Sequence, residues 1–250
     1  MRKIMYGLLV AVFAIALTAC GGDEESKDKA QEADKQKAGD KTEQAEKMKE
    51  MKKKLEEQQV KEDKVVALVN DSKIKGTEYN RFLERYQMQF QQMGQDPTSK
   101  ESAKKMKDQI IKSLIDYEIV IQEADKKGYE ASSEEVDKQF GDFKSQFKDD
   151  KKYQEALKQY DLTEEELKKE IAESIKYTTY VEKEIQVEEV TDQQAKDYYA
   201  KIKDSQGDKA PKFEEVKDQI KTQLQNQQKQ EKVAEKVKKL KKDADIKVKI

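Results

Sequence analysis

The stretch SKESAKKMKDQIIKSLIDYEIVIQEADKKG, residues 99–128, decides what kind of fold this chain can adopt. Met106, Ile110, Leu114, Tyr117, Ile121 and Ala124 recur at three- and four-residue spacing. That spacing gathers them on one face of an α-helix and leaves lysines and acids on the other. Gly128 stands where a C-terminal glycine belongs, since it enters the left-handed conformation of a helix end without steric cost. The pattern predicts a helix over about Ser99–Lys127, the longest well-patterned one in the sequence.

Outward from it, helical spacing continues in both directions. On the N-terminal side, Thr77 reads as the N-cap of a helix with Tyr79, Phe82, Leu83, Tyr86, Phe90 and Met93 on one aromatic-rich face, ended at Gly94–Pro97. Met88 lies off that stripe. On the C-terminal side, Ser132 with Glu135, Thr163 with Glu166 and Thr191 with Gln194 read as capping boxes. They open helices bearing Val136, Phe140, Phe143 and Phe147; then Leu167, Ile171, Ile175 and Val181; then Tyr198, Tyr199 and Ile202. Tyr153, Leu157 and Tyr160 mark a short helix between the first two. After a polar break at Asp204–Pro211, a last helix runs from Phe213 through Val216, Ile220 and Leu224 to Val233, Val237 and Leu240. Its middle, Gln225–Lys232, has no large apolar residue and is expected to meet solvent on all sides.

Two segments read as strands. Val65-Val66-Ala67-Leu68-Val69-Asn70 is a short apolar run closed by the turn residues Asn70-Asp71-Ser72, and Ile246-Lys247-Val248-Lys249-Ile250 alternates cleanly. An isolated strand is not stable in water, so the simplest solution pairs these two. The expected fold is mainly α: a multi-helix domain over residues 61–250, closed by a small β pairing of its N- and C-terminal strands.

Composition excludes much chemistry. The chain has no histidine, which removes Ser-His-Asp and Cys-His catalysis and imidazole-based zinc sites. None of the nine glycines builds a phosphate loop, so no nucleotide, metal or other cofactor is expected. Charged residues make up 42% of the chain, yet 51 Lys+Arg stand against 53 Asp+Glu, interleaved rather than gathered in a basic stripe, so no nucleic-acid partner is expected. Cys20 is the single cysteine and cannot form an intrachain disulfide.

The first residues read as an address. Arg2 and Lys3 precede an apolar run from Gly7 to Leu17, shorter than the roughly 20 residues a spanning helix needs. Leu17-Thr18-Ala19-Cys20 resembles a lipobox, the pattern read by the bacterial lipoprotein pathway. The resemblance implies a signal peptide over residues 1–19, cleavage before Cys20, and a diacylglyceryl group on the Cys20 thiol. Two acyl chains anchor a protein stably, where one is marginal. Residues 20–60 then form a spacer. Gly21 to Lys47 lacks large apolar residues and is expected to be disordered, while Met48–Val60 continues as an exposed helix with a thin line of Met51, Leu55 and Gln58. Forty residues of flexible coil reach roughly 35 Å. This places the folded part away from a cell membrane on its extracytoplasmic face, an arrangement that points to a Gram-positive envelope.

The order of segments resembles the SurA/PrsA group of exported chaperones and, more distantly, trigger factor. The matching pieces are Val65–Asn70 with Ile74 and the Thr77 helix; Leu114-Ile115 with Gln122-Glu123-Ala124 and Gly128; Ser132–Val136; Leu162–Leu167; Val190-Thr191-Asp192 with Tyr198-Tyr199; Phe213–Ile220; and Leu240–Val248. The resemblance covers residue 64 to the C-terminus. It implies an ATP-independent holdase or foldase whose partners are unfolded or nascent secreted polypeptides. Members with prolyl isomerase activity carry a parvulin domain between the Tyr-Tyr helix and the Phe-Glu-Glu helix. Here a short connection around Asp204–Ala210 occupies that place, and the histidines typical of a parvulin site are missing, so no enzyme is expected despite the family's isomerase label.

Tyr79, Phe82, Tyr86, Met88, Phe90 and Met93 are the candidate client-contact residues, because aromatic and flexible thioether side chains adapt to varied partners. For most of its members the stripe reads first as ordinary core packing, and Met88, off the stripe, is the better candidate for exposure. Two other readings are open: an adaptor lipoprotein for one envelope partner, and a transporter's solute-binding lipoprotein. The last is disfavoured by the scarcity of strands.

Overall fold

The computed structural model describes residues 46–159, 162–207 and 210–250. The expected signal peptide, Cys20, spacer residues 21–45 and Tyr160 lie outside the described residues. The chain divides into two units, Met1–Lys49 and Glu50–Ile250. In the first, residues 46–49 are helical and exposed. The second holds everything else and begins at Glu50, eleven residues before the domain start expected at residue 61.

The apolar run Val65–Val69 forms β1, the central strand of a three-stranded antiparallel sheet ordered β2-β1-β3. The hairpin partner β2, Ser72–Lys75, was not anticipated, because Ile74 is its only apolar residue. Ile74 is nonetheless buried opposite Ala67. On the other side lies β3, Ile246–Val248, with Ala67 opposite Val248 and Val69 opposite Ile246. The terminal strands therefore meet as expected. Asn70 makes the turn with φ 54°, in the left-handed region that asparagine tolerates better than most residues.

Helices surround the core face of this sheet. A helix over 46–56, α1, precedes it. The next, α2, spans Gly76–Gln92 with Lys75 as its N-cap, so the expected Thr77 cap is corrected. The Gly76 and Thr77 backbone N–H groups donate to the Lys64 and Glu62 carbonyls at 2.8 and 3.2 Å. The Lys75 N–H donates to the Glu78 carboxylate at 2.7 Å. The turn at 62–64 thus satisfies donors that a threonine hydroxyl was expected to meet.

Helix α3, Lys100–Lys126, is the central strut and is capped by the Ser99 hydroxyl, which accepts from the Ser102 N–H at 3.1 Å. It buries Met106, Ile110, Leu114, Ile119, Val120 and Ala124 against α2, the sheet, α6 and α8. Helices α4 (Ser133–Lys144), α5 (Asp150–Gln159), α6 (Glu164–Glu184) and α7 (Asp192–Gln206) follow, and the capping boxes of α4, α6 and α7 form at the residues read from sequence. The C-terminal part of α6, with Tyr180 and Val181, joins the main core. Its N-terminal part closes a smaller core of Tyr153, Leu157 and Leu167 with Phe140, Phe143 and Phe147.

Helix α7 rests on the N-terminal half of α8, Phe213–Leu240. Residues 207–212 join the two, so α7 runs further into the expected break than its polarity suggested. Asp192, in the first turn of α7, is held by both Lys217 and Lys221 of α8 at 2.5 Å, which keeps its carboxyl near a pKa of about 2. Residues 225–232 of α8 are exposed or half-exposed, and beyond them Val233, Val237 and Leu240 return to the main core. No helix among the described residues is long and apolar enough to cross a membrane.

Candidate interaction surface

Helix α2 sorts its side chains by angle. Tyr79, Leu83 and Phe90 share the face turned to the main core, Gln87 beside them turns to residues 55–58, and all four are buried. Tyr79 and Phe90, two of the six expected contact residues, are therefore core residues, because their spacing points them inward. Phe82 and Tyr86 sit half-buried at the core margin. The Arg85 guanidinium lies 5.2 Å over the Phe82 ring, and the Tyr86 hydroxyl is 3.3 Å from Ser113 Oγ. Met88 and Met93 face outward, 53% and 55% exposed.

Sequence reasoning missed what lies beside them. Asn80 Nδ2 donates to the Val60 carbonyl at 2.8 Å, and its Oδ1 accepts from the Val60 N–H at 3.0 Å. Further along α2, Gln87 Nε2 donates to the Leu55 carbonyl at 3.2 Å and to Gln58 Oε1 at 3.1 Å. Gln58 Nε2 in turn donates to the Pro97 carbonyl at 2.9 Å. Residues 60 to 55 thus run along α2 toward its C-terminal end. Met51, one helical turn earlier on α1 and 40% exposed, continues in that direction, toward the end where Met88 and Met93 stand. Among the described residues, Met106 alone of the methionines is in the core, and the exposed large hydrophobic side chains are Met48, Met51, Met88, Met93 and Val248. The Met51 signal was available in the thin apolar line of α1; the packing of residues 55–60 along α2 was not.

A second unanticipated feature lies between α2, α3 and α6. Tyr117 and Tyr177 stack with ring centroids 5.2 Å apart and planes 20° apart. Burial pushes the carboxyls of Glu78 and Glu173 above the usual range, and the Glu118 carboxylate adds to both shifts. Burial likewise raises both tyrosine hydroxyls. Arg81 pairs with Glu170 beside this acidic group. Among the described residues no group of three acidic, cysteine or histidine side chains is placed to hold a metal ion.

A helical domain whose first and last strands close one sheet, with flexible thioethers at one end, is the class defined by this fold and surface. The profile of the SurA-like N-terminal domain matches residues 53–181, which contain the whole of α2 through most of α6. The chain belongs to this family. No curated protein matches it.

Proposed function

We propose that this chain is an extracytoplasmic, membrane-tethered chaperone that shields unfolded secreted polypeptides without ATP or catalysis. The reading is carried by one observation: the large apolar side chains left in water within the SurA-like domain are Met88 and Met93, at the C-terminal end of α2, with Met51 just ahead of that domain on α1. Methionine is unbranched and polarizable, so a rim of Met51, Met88 and Met93 fits many apolar segments without selecting one shape. The charged exterior keeps such a protein from associating with itself. Lipid on Cys20 would hold the domain where exported chains emerge.

The purified mature chain is expected to suppress aggregation of an unfolded client at near-stoichiometric ratio. Met88→Glu with Met93→Glu is expected to weaken suppression severalfold while changing stability by less than about 0.5 kcal/mol, since both sites are at the surface. No suppression by the unaltered chain at large excess would sink the proposal. A prolyl-isomerisation assay is expected to stay at background, and a Cys20→Ala chain is expected to leave the detergent phase for the aqueous one.

A further inference from the structure

Val248 is the exposed large apolar residue that the methionine rim does not explain. It lies on β3, opposite Ala67 of β1, so its side chain shares a sheet face with Ala67, Val69, Ile74 and Ile246. Ala67, Val69 and Ile74 are buried, and Ile246 and Ile250 are half-buried against the core. Val248 is nevertheless 51% exposed. It points to the core side of the sheet at a margin that nothing covers.

The backbone of β3 is open at the same place. The Asn70 N–H donates to the Asp245 carbonyl at 2.7 Å, and the Lys249 N–H donates to the Val66 carbonyl at 2.9 Å. Inward-bonding residues alternate along an antiparallel pair, so residues 245, 247 and 249 face β1 while Ile246 and Val248 direct their N–H and C=O groups away from it. No fourth strand lies there, and among the described residues no group meets these donors and acceptors. The opposite edge is narrower: in β2 the outward N–H of Lys75 is taken by the Glu78 carboxylate and the chain turns at once into α2, which leaves Lys73 as the outward-facing residue there, against two on β3.

We infer that the outer edge of β3 takes up an extended segment of an unfolded polypeptide as a fourth strand, held by the backbone of Ile246 and Val248 and covering the Val248 side chain. This rests on the chaperone reading above and gives it a second, sequence-tolerant contact, since main-chain hydrogen bonds are available from any polypeptide. Charge selects the occupant. Lys247, paired with Asp245 at 2.5 Å, and Lys249 project from the other face of β3. Pairing with a second copy about Val248 sets Lys247 opposite Lys249, and pairing about Lys247 sets Lys247 opposite itself. Pairing about Ile246 matches Lys247 with Asp245 but carries Val248 past the partner's strand to the bend at residues 243–244, which leaves its side chain uncovered. Like charges directly opposed are destabilising. A client segment is free to place acidic or neutral residues there, so acid-bearing extended segments bind best.

The test is amide hydrogen exchange by NMR on the mature chain, with and without a reduced, carboxymethylated small protein that cannot refold. The Ile246 and Val248 amides are expected to exchange freely alone and to slow ~10-fold or more with the probe. Val248→Pro, which removes only an outward donor, is expected to abolish that protection at Ile246 and to weaken probe binding. Val248→Lys, which leaves the backbone intact, is expected to weaken it too should the proline variant fold poorly. Lys249→Glu is expected to shift preference from acid-rich to lysine-rich probes. Undiminished aggregation suppression with both amides still exchanging freely overturns strand addition and leaves the chaperone reading standing. Protection that grows with protein concentration in the absence of probe, together with dimer in sedimentation, overturns it in favour of a second copy. Loss of both suppression and protection in the unaltered chain overturns both readings.

Discussion

Asn70 joins three parts of the molecule through one side chain. Its Oδ1 accepts from the Asp245 N–H at 2.9 Å, and its Nδ2 donates to Gln122 Oε1 at 2.6 Å. Gln122 then reaches back to the Val69 carbonyl at 2.9 Å. Asn70→Ala loses these bonds and strains the positive φ, at a cost of about 2 kcal/mol in urea unfolding. Asn70→Gly relieves the strain alone, so it is expected to recover part of the loss. A different residue-scale effect comes from Glu173, whose folded pKa burial raises above the unfolded value. Such a group favours the folded state below its unfolded pKa and loses that contribution as pH rises through the folded one. Glu173→Gln is therefore expected to raise the unfolding free energy from urea titration near pH 7, by under about 1 kcal/mol after solvent screening, with the gain gone by about pH 4. At this scale the sequence was only partly readable. Met88 declared its exposure by falling off the α2 stripe. Gln87 hid its burial, because the carbonyl that satisfies it belongs to Leu55, 32 residues away. The stripe itself could not say which aromatic residues were core, since one spacing serves both ends.

Elements were the most legible scale, and the reason is that their signals are local. A capping box needs only four consecutive residues, and Ser132, Thr163 and Thr191 each accept the expected N–H. Thr163→Ala removes one such bond and leaves Glu166 without its hydroxyl partner, at an expected cost of about 1 kcal/mol in thermal or urea unfolding. The start of α2 was misread because its donors are met from residues 62–64 rather than from its own first turn. Gly76 belongs to the same crossing: a Cβ there would collide with the Lys61 carbonyl. Gly76→Ala is therefore expected to cost more than about 2 kcal/mol, although alanine is the better helix former. Strand β2 escaped notice because hairpin formation, rather than its own alternation, recruits a segment with a single apolar residue.

On the scale of the whole molecule, closure of the domain was readable because two isolated strands had to find each other. How α7, α8 and the smaller aromatic core attach was not, since amphipathic helices announce a buried face without naming its partner. Deleting residues 246–250 strips β1 of one of its two ladders and removes the half-buried Ile246 and Ile250 side chains from the core margin. The expected cost is about 3 kcal/mol or more, read as a lower urea midpoint with unchanged cooperativity. The bond between Asn70 and Asp245 spans 175 residues, so the central strand is made long before its second neighbour exists. Contacts of such separation form late, after shorter loops have closed. A chain interrupted anywhere short of Ile246 keeps a bare margin on its innermost strand. Limited proteolysis reads that margin directly: without residues 246–248, cleavage near β1 is expected to outpace that of the unaltered chain.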